Sequence, residues 1–405
     1  MCATTLVSLT VRNFRRYFVG QVISRIGTWM QRFAQSWLVF TLSDNPAVVG
    51  AVLAVQSLPV LLIGPYGGVI ADRMNRRRLM VVLQSVMGLL AAALGTLVLT
   101  HVVSLWHVFI LAALLGIAEA LENPPRQAFV FELVGRTHVP NAVALNSVLN
   151  NTARALGPAV GAVLIAQVSL ASCFLLNAAS FGAVVASLLL VDPQQLRTAP
   201  RVSRAPRQLR EGLRYARSHP EIRGCLLMML LIGTLAWEFQ TVLPPLSDRV
   251  LHAGATGYGL LTAMQGVGAV LGGLVAAGRR RVGLRAVTVR AAGFGAAMIV
   301  LAVVPNLALA CVAMVLVGFA ATSFSAGGNA TLQTTTVPQM RGRVMSLWTV
   351  AFQGSTPIGG PIDGLIAETA GARAAVLVGA ASCWGAVVLG WRASRRVEPS
   401  ERVVP

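Results

Sequence analysis

The feature that most constrains this chain is a repeated block: apolar runs of about twenty residues, separated by short polar breaks rich in arginine. Twenty residues of helix rise about 30 Å, the thickness of a bilayer's hydrocarbon core. No water reaches the backbone there, so every N–H and C=O must be satisfied within the run, and the run must be helical. Of the 405 residues, 55% are hydrophobic and only 12% charged, and mean hydropathy is +0.70. A soluble domain of this length needs more polar surface. The pattern predicts helices over 15–42, 47–71, 79–101, 105–123, 141–166, 171–191, 223–246, 257–278, 286–304, 307–329, 341–367 and 372–392. Breaks such as Ser43-Asp44-Asn45-Pro46 and Pro305-Asn306 use ordinary turn residues.

All 33 basic residues are arginine, and net charge is +19. Such a charge would suit nucleic acid, but the arginines sit between apolar blocks rather than on one face of a soluble fold. Alternate breaks hold 28 of them, and the opposite breaks hold only Arg249 and Arg373. By the positive-inside rule this bias sets both termini in the cytoplasm and requires an even number of crossings. The longest polar stretch, 192–222, divides the chain into an N-terminal six-helix bundle (1–191) and a C-terminal one (223–392), with a tail over 393–405. Within the linker, Glu211-Gly212-Leu213-Arg214-Tyr215-Ala216-Arg217 is amphipathic and predicts a helix at the membrane surface. The halves also repeat. Gly67 to Asp72 with Arg76 to Arg78 recurs as Gly272 to Ala277 with Arg279 to Arg281, a weak internal symmetry typical of transporters.

Catalytic signatures are missing. Cys2, Cys173, Cys225, Cys311 and Cys383 lack metal or redox spacing, and the five histidines are scattered at helix ends and loops. There is no phosphate-cradling G-x-x-x-x-G-K-[ST]. The expectation is a chain with no cofactor and no metal that is not an enzyme. No cleavable signal peptide is visible, since the first long block carries Arg25 and Arg32.

Gly68-Val69-Ile70-Ala71-Asp72-Arg73-Met74-Asn75-Arg76-Arg77 fits G-x-x-x-D-R-x-G-R-R, with Asn75 in place of the second Gly. On these residues the chain resembles the major facilitator superfamily. In that family the loop helps to hold one of two alternating-access states, which implies a conformational role for Gly68, Asp72, Arg73, Arg76 and Arg77. Gly157-Pro158-Ala159-Val160-Gly161 looks like the family's antiporter motif, with Ala153 and Ala162 in place of its outer glycines. That motif is associated with export. Gly20-Gln21-Val22-Ile23-Ser24, Pro125-Arg126-Gln127-Ala128, Glu211-Gly212-Leu213-Arg214-Tyr215 and Arg341-Gly342-Arg343-Val344-Met345-Ser346-Leu347 resemble the drug:proton antiporter branch, which includes bacterial macrolide and multidrug efflux proteins and enterobactin exporters.

Ionisable groups within membrane helices are costly and mark functional paths. Gln21, Arg25, Thr28, Arg32 and Gln35 fall at steps of four and three, one continuous polar stripe that predicts a water-filled cavity; a static ion-pair seam between helices is the alternative. Depth along the helices sets Arg25 opposite Glu119, with Arg32, Arg154 and Glu238 as a deeper set. Glu119, Glu238 and Glu122 are the candidate proton carriers, although Glu122 with Arg126 also reads as an ordinary i,i+4 pair. Asn146, Asn150 and Arg154 form a second polar line, with Gln353 as a counterpart in the other half. They suit either substrate hydroxyls and amides or bonds between helices. Asp363 reads as a solvated helix end.

The expected fold is an all-α membrane protein with twelve transmembrane helices in two pseudo-symmetric six-helix bundles, in a bacterial inner membrane. The expected function is proton-coupled export of a drug or natural product by a monomer, whose partners are the small-molecule substrate, protons and the lipid bilayer, with no nucleic acid. Siderophore export of the enterobactin type is the second reading, and a non-transporting membrane scaffold or sensor the third.

Overall fold

The computed structural model describes residues 7–197, 208–278 and 282–395, with the side chains of 64–73, 208–210, 277 and 278 excepted. Among the described residues all regular structure is helical. The chain divides into two compact units, one of 1–44 with 55–202 and one of 45–54 with 203–405.

In the first unit a 3-10 turn at Val7–Thr10 leads into α1 (Arg12–Ser43), followed by the part of α2 (Pro46–Arg73) beyond residue 54, α3 (Arg76–Leu99), α4 (Leu105–Gln167) and α5 (Leu170–Leu189). The starts of α3, α5 and α4 carry the caps that free N–H groups need. Asn75 accepts from the Arg78 N–H, Ser169 accepts from the Ser172 N–H, and Ser104 and His107 close a capping box. The sequence pattern predicts a loop between helices ending at 123 and starting at 141, but the backbone stays helical on both sides of Gly135. Pro124, Pro125 and Pro140 all lie inside helical turns. Proline removes a donor, yet neighbouring side chains can hold such a turn in lipid. Here Arg126 ties Glu122 (3.1 Å) and Asn123 (2.7 Å) across the Pro124-Pro125 turn. The real interruption is Gly135, at φ 69°, a left-handed backbone open to a residue without Cβ.

The second unit contains α6 (Gln208–Ser218), α7 (Pro220–Leu235), α8 (Phe239–Pro245) with a π turn at Leu246–Val250, α9 (Gly254–Gly278), α10 (Leu284–Val303), α11 (Leu307–Thr335), α12 (Pro338–Gln353), α13 (Thr356–Thr369) and α14 (Ala372–Arg395). Two of the predicted helices are therefore broken. The 223–246 run is interrupted at Ala236-Trp237-Glu238, and the 341–367 run at Gly354-Ser355. The predicted amphipathic helix is α6; Ala216 on it is buried, and Glu211 pairs with Arg343 of α12 at 2.6 Å.

The same helix pairings recur inside each unit. α5 packs on α1 and α3 in the first, as α14 packs on α7 and α10 in the second. A Cβ on Gly116 of α4 would run into the Gln56 carbonyl oxygen of α2, and one on Gly318 of α11 into the Gln265 carbonyl oxygen of α9. Contact of backbone with backbone through glycine is how helices associate where lipid offers no hydrophobic contrast. Larger side chains fill what remains. In the first unit Phe14, Tyr17, Met80, Phe129 and Leu188 form a buried cluster, with Tyr17 edge-on to Phe129 at 5.7 Å.

The outward faces are apolar as well. Leu89 is 70% exposed and Val289 72%. Nine helices among the described residues are long and apolar enough to cross a membrane. Faces of this kind are stable against lipid, not water.

Candidate functional site

The polar stripe of α1 divides among several partners. Gln35 donates to Gln56 of α2 at 2.9 Å, both buried. The Thr28 hydroxyl donates to the Ser24 carbonyl on its own helix at 2.8 Å, and Arg25 donates to Gln21 one turn back at 3.3 Å. Glu119 pairs with Arg32, whose Nη2 lies 3.0 and 3.2 Å from its two carboxylate oxygens, and not with Arg25 as depth along the helices suggests. Depth estimates ignore where a long guanidinium points; Arg32 reaches Glu119 from about two helix turns beyond Arg25.

Beside this pair lies Trp29. The guanidinium carbons of Arg32 and Arg154 are each 5.3 Å from its ring, within cation–π range, and its indole N–H donates to Asn150 at 3.4 Å. Among the described residues no carboxylate pairs with Arg154. Asn146 sits one turn before Asn150 on α4, partly exposed. The result is a compact cationic and aromatic group of Trp29, Arg32, Arg154 and Asn150. The tight seam between α4 and α1 positions it. A Cβ on Gly157 would lie 2.6 Å from Trp29 Cβ and 2.8 Å from the Met30 nitrogen, and one on Gly161 would meet the Phe33 ring at 2.8 Å. Glycine at 157 lets α4 come this close to α1 at Trp29 and Met30. Pro158 is buried in the same seam.

Glu122 is held by Arg126 at 3.1 Å, the i,i+4 pair read from the spacing, with Gln84 donating at 3.4 Å. Both candidate acids of the first unit thus have arginine partners. In the loop motif, Gly68, Asp72 and Arg73 lie outside the residues whose side chains are described. Arg76 pairs with Glu132 of α4, and Arg77 donates to the Leu188 and Leu189 carbonyls at the end of α5 (2.7 and 2.8 Å). A cation at a helix C-terminus meets both the free carbonyls and the dipole.

The second unit holds a different arrangement. Glu238 stands in the break between α7 and α8 and is 7% exposed. Asp363, which the sequence suggested as a solvated helix end, lies inside α13 and is 2% exposed. Both line one small cavity with Leu235, Phe239, Met298 and Val376. The spacing of residues could not reveal this pair, because the acids lie over a hundred positions apart and meet only through the two helix breaks. Gln353 is exposed at the end of α12. Most of the helix aromatics pack against one another: Trp237 is edge-on to Phe352 at 5.1 Å and to Phe294 at 6.0 Å.

The chain is similar to known transporters over nearly its whole length. The model of a family described as transmembrane secretion effector matches residues 3–403. The staphyloferrin A transporter of Staphylococcus aureus is 28% identical over 64% of this chain, a match spanning 65% of that protein, just under two thirds. The multidrug efflux pump Tap of Mycolicibacterium fortuitum is 27% identical, covering 84% of this chain and 86% of its own. The enterobactin exporter EntS of Shigella boydii is 25% identical, covering 87% and 84%. Among solved structures, an inward-facing, occupied bacterial homologue of the human lysosomal transporter Spinster superposes with TM-score 0.77 at 15% identity, covering 97% of this chain and 98% of that one. A bacterial homologue of the iron transporter ferroportin, also inward-facing, gives 0.74 at 18% identity over 95% and 99%. At such identities the superpositions establish the fold. The glycine-seamed helices, their lipid-compatible faces and a family match from end to end agree: this multi-pass membrane protein belongs to the transmembrane secretion effector family of major facilitator transporters, which are not enzymes.

Proposed function

We propose that the chain is a proton-coupled exporter of small molecules, drugs or natural products, working by alternating access in a bacterial inner membrane. In this reading twelve crossings form two bundles, 1–191 and 223–392, joined by the 192–222 linker, with a 393–405 tail, and both termini are cytoplasmic. The observation that carries it is the group of Trp29, Arg32, Glu119 and Arg154, a charged and aromatic cluster inside a membrane bundle. Charge at that depth is costly unless it serves a substrate or ion path. The export relatives and the Gly157-Pro158 seam support the outward direction.

A second reading, siderophore export, rests on the same cluster. Arg154 brings positive charge beside an indole face, which suits an anionic or catechol ligand, and two relatives are named for siderophores. The test is proton movement in proteoliposomes holding the purified chain, with candidate drugs and a catechol siderophore added in turn. Substrate-triggered flux that is lost in Glu119→Gln or Glu238→Gln is the expected result. No flux with any compound, in folded protein, removes proton-coupled export of these classes.

A further inference from the structure

We propose that Glu238 and Asp363 form a binding site for one monovalent cation, a proton or a sodium ion, at the break between α7 and α8. The site stands on geometry alone; its role as the place where the coupling ion loads rests on the transport reading above.

Both acids are buried in an apolar wall. Asp363 keeps one carboxylate oxygen, Oδ1, sealed from solvent and without a hydrogen-bond partner in the protein. That oxygen belongs to a residue 2% exposed that lines the same cavity as Glu238. Glu238 lies over the α13 face that carries Asp363. A Cβ on Gly359, one turn before Asp363, would lie 3.2 Å from Glu238 Cγ. Thr356, at the start of α13, is within hydrogen-bonding reach of the Glu238 carboxylate. The cavity measures about 10 Å³, room for about one water.

Nothing cationic among the described residues answers these charges. On their own helix and those packed around them, Glu221 caps the Leu284 N–H at 2.9 Å, Arg249 pairs with Glu368 at 3.4 Å, and Arg373 donates to the Val304 carbonyl. Arg223, Asp248, Arg285, Arg290, Arg392 and Arg395 stand near the ends of α7, the π turn, α10 and α14, and α9 and α11 have no charged residue. Two bare carboxylates facing one apolar cavity cannot both remain ionised; a positive charge must join them. The cavity size limits that charge to a proton, with or without a water, or a small ion. A calcium-like ion needs six or more oxygen ligands, and the site offers two carboxylates and one hydroxyl. Discontinuous helices place such sites in other transporters because the break exposes polar backbone to a buried ion. The contrast with the described acids of the first-unit helices is direct: Glu119 and Glu122 have their positive charges built in as Arg32 and Arg126, whereas Glu238 and Asp363 need one from outside.

The test is infrared difference spectroscopy on the full chain in lipid nanodiscs, stepping pH with and without sodium, for wild type, Glu238→Gln, Asp363→Asn and the double variant. The expected result is a protonated-carboxyl band that persists above the ordinary carboxylate range and is lost in either single variant. If sodium removes the band at fixed pH, the ion is sodium; if it has no effect, the ion is the proton. A spectrum in which no band depends on either substitution, in protein of native helicity, overturns the site. Cation flux in the same preparations separates the two readings. A variant-sensitive band without substrate-driven flux in wild type leaves the site standing and sinks the transport reading. Wild-type flux in both single variants overturns the coupling role.

Discussion

At the scale of single residues, the Arg32–Glu119 pair is the contact that depth along the helices misassigns. Its side chains are 35% and 19% exposed, so its worth lies between about 1 kcal/mol for an exposed pair and about 3–5 kcal/mol for removing one partner of a buried one. Removing either partner leaves the other charge uncompensated. Glu119→Gln should therefore lower the melting temperature in detergent, and so should Arg32→Gln, while the charge-swapped Arg32→Glu with Glu119→Arg should recover most of the loss. Strictly additive effects in that cycle would show that the two side chains do not interact. Glu122 offers an internal comparison: its partner Arg126 is one helical turn away, so Glu122→Gln should cost stability without a swap partner on another helix.

At the scale of elements, glycine decides where helices touch. Gly157→Ala would drive a methyl into Trp29 and the α1 backbone at 2.6–2.9 Å, and overpacking of this kind costs about 1–3 kcal/mol. A methyl added at Gly182 on α5 would meet nothing within 4 Å, so Gly182→Ala should be neutral or stabilising by up to about 1 kcal/mol through helix propensity. Thermal unfolding of both variants in one detergent checks the pair, and equal shifts would mean that the α1–α4 seam is not tight. Much of this level was legible in the residues. Apolar blocks located the helices, the amphipathic stretch located α6, and the Gly157–Gly161 spacing located the seam. The break at Gly354-Ser355 was passed over by the unbroken 341–367 run, although Gly354 and Pro357, which sits in the first turn of α13, are residues that punctuate helices. The break before Glu238 had no such signal: the prolines of that helix, Pro244 and Pro245, come later. Prolines 124 and 125 misled in the other direction, because Arg126 bonds to Glu122 and Asn123 across the turn and holds a helix that propensity alone would end. Asp363 was out of reach for a related reason. Its burial depends on which face α13 presents after a break, and periodicity cannot set phase across one.

At the scale of the whole molecule, the arginine distribution makes a claim that helix packing does not. Twenty-eight arginines fall in alternate breaks and two in the others; the positive-inside rule predicts that the rich breaks stay in the cytoplasm. Several of those arginines also have structural partners, since Arg77 closes the end of α5 and Arg343 holds α6 to α12. Orientation and packing are thus coupled: a chain inserted the other way would carry these same contacts across the membrane at the full cost of translocating guanidinium groups. The expected outcome is that green fluorescent protein fused after Pro405 is fluorescent and alkaline phosphatase fused there is inactive, whereas phosphatase inserted after His252, beside Arg249, is active. An active C-terminal phosphatase would require an odd number of crossings or an inverted chain. The His252 insertion separates the two: an inactive phosphatase there with an active one at the C-terminus means an inverted chain that keeps its two halves, whereas activity at both sites means an odd number of crossings, which removes the six-plus-six organisation on which the repeated α1–α5 and α7–α14 pairings are read as halves of one transporter.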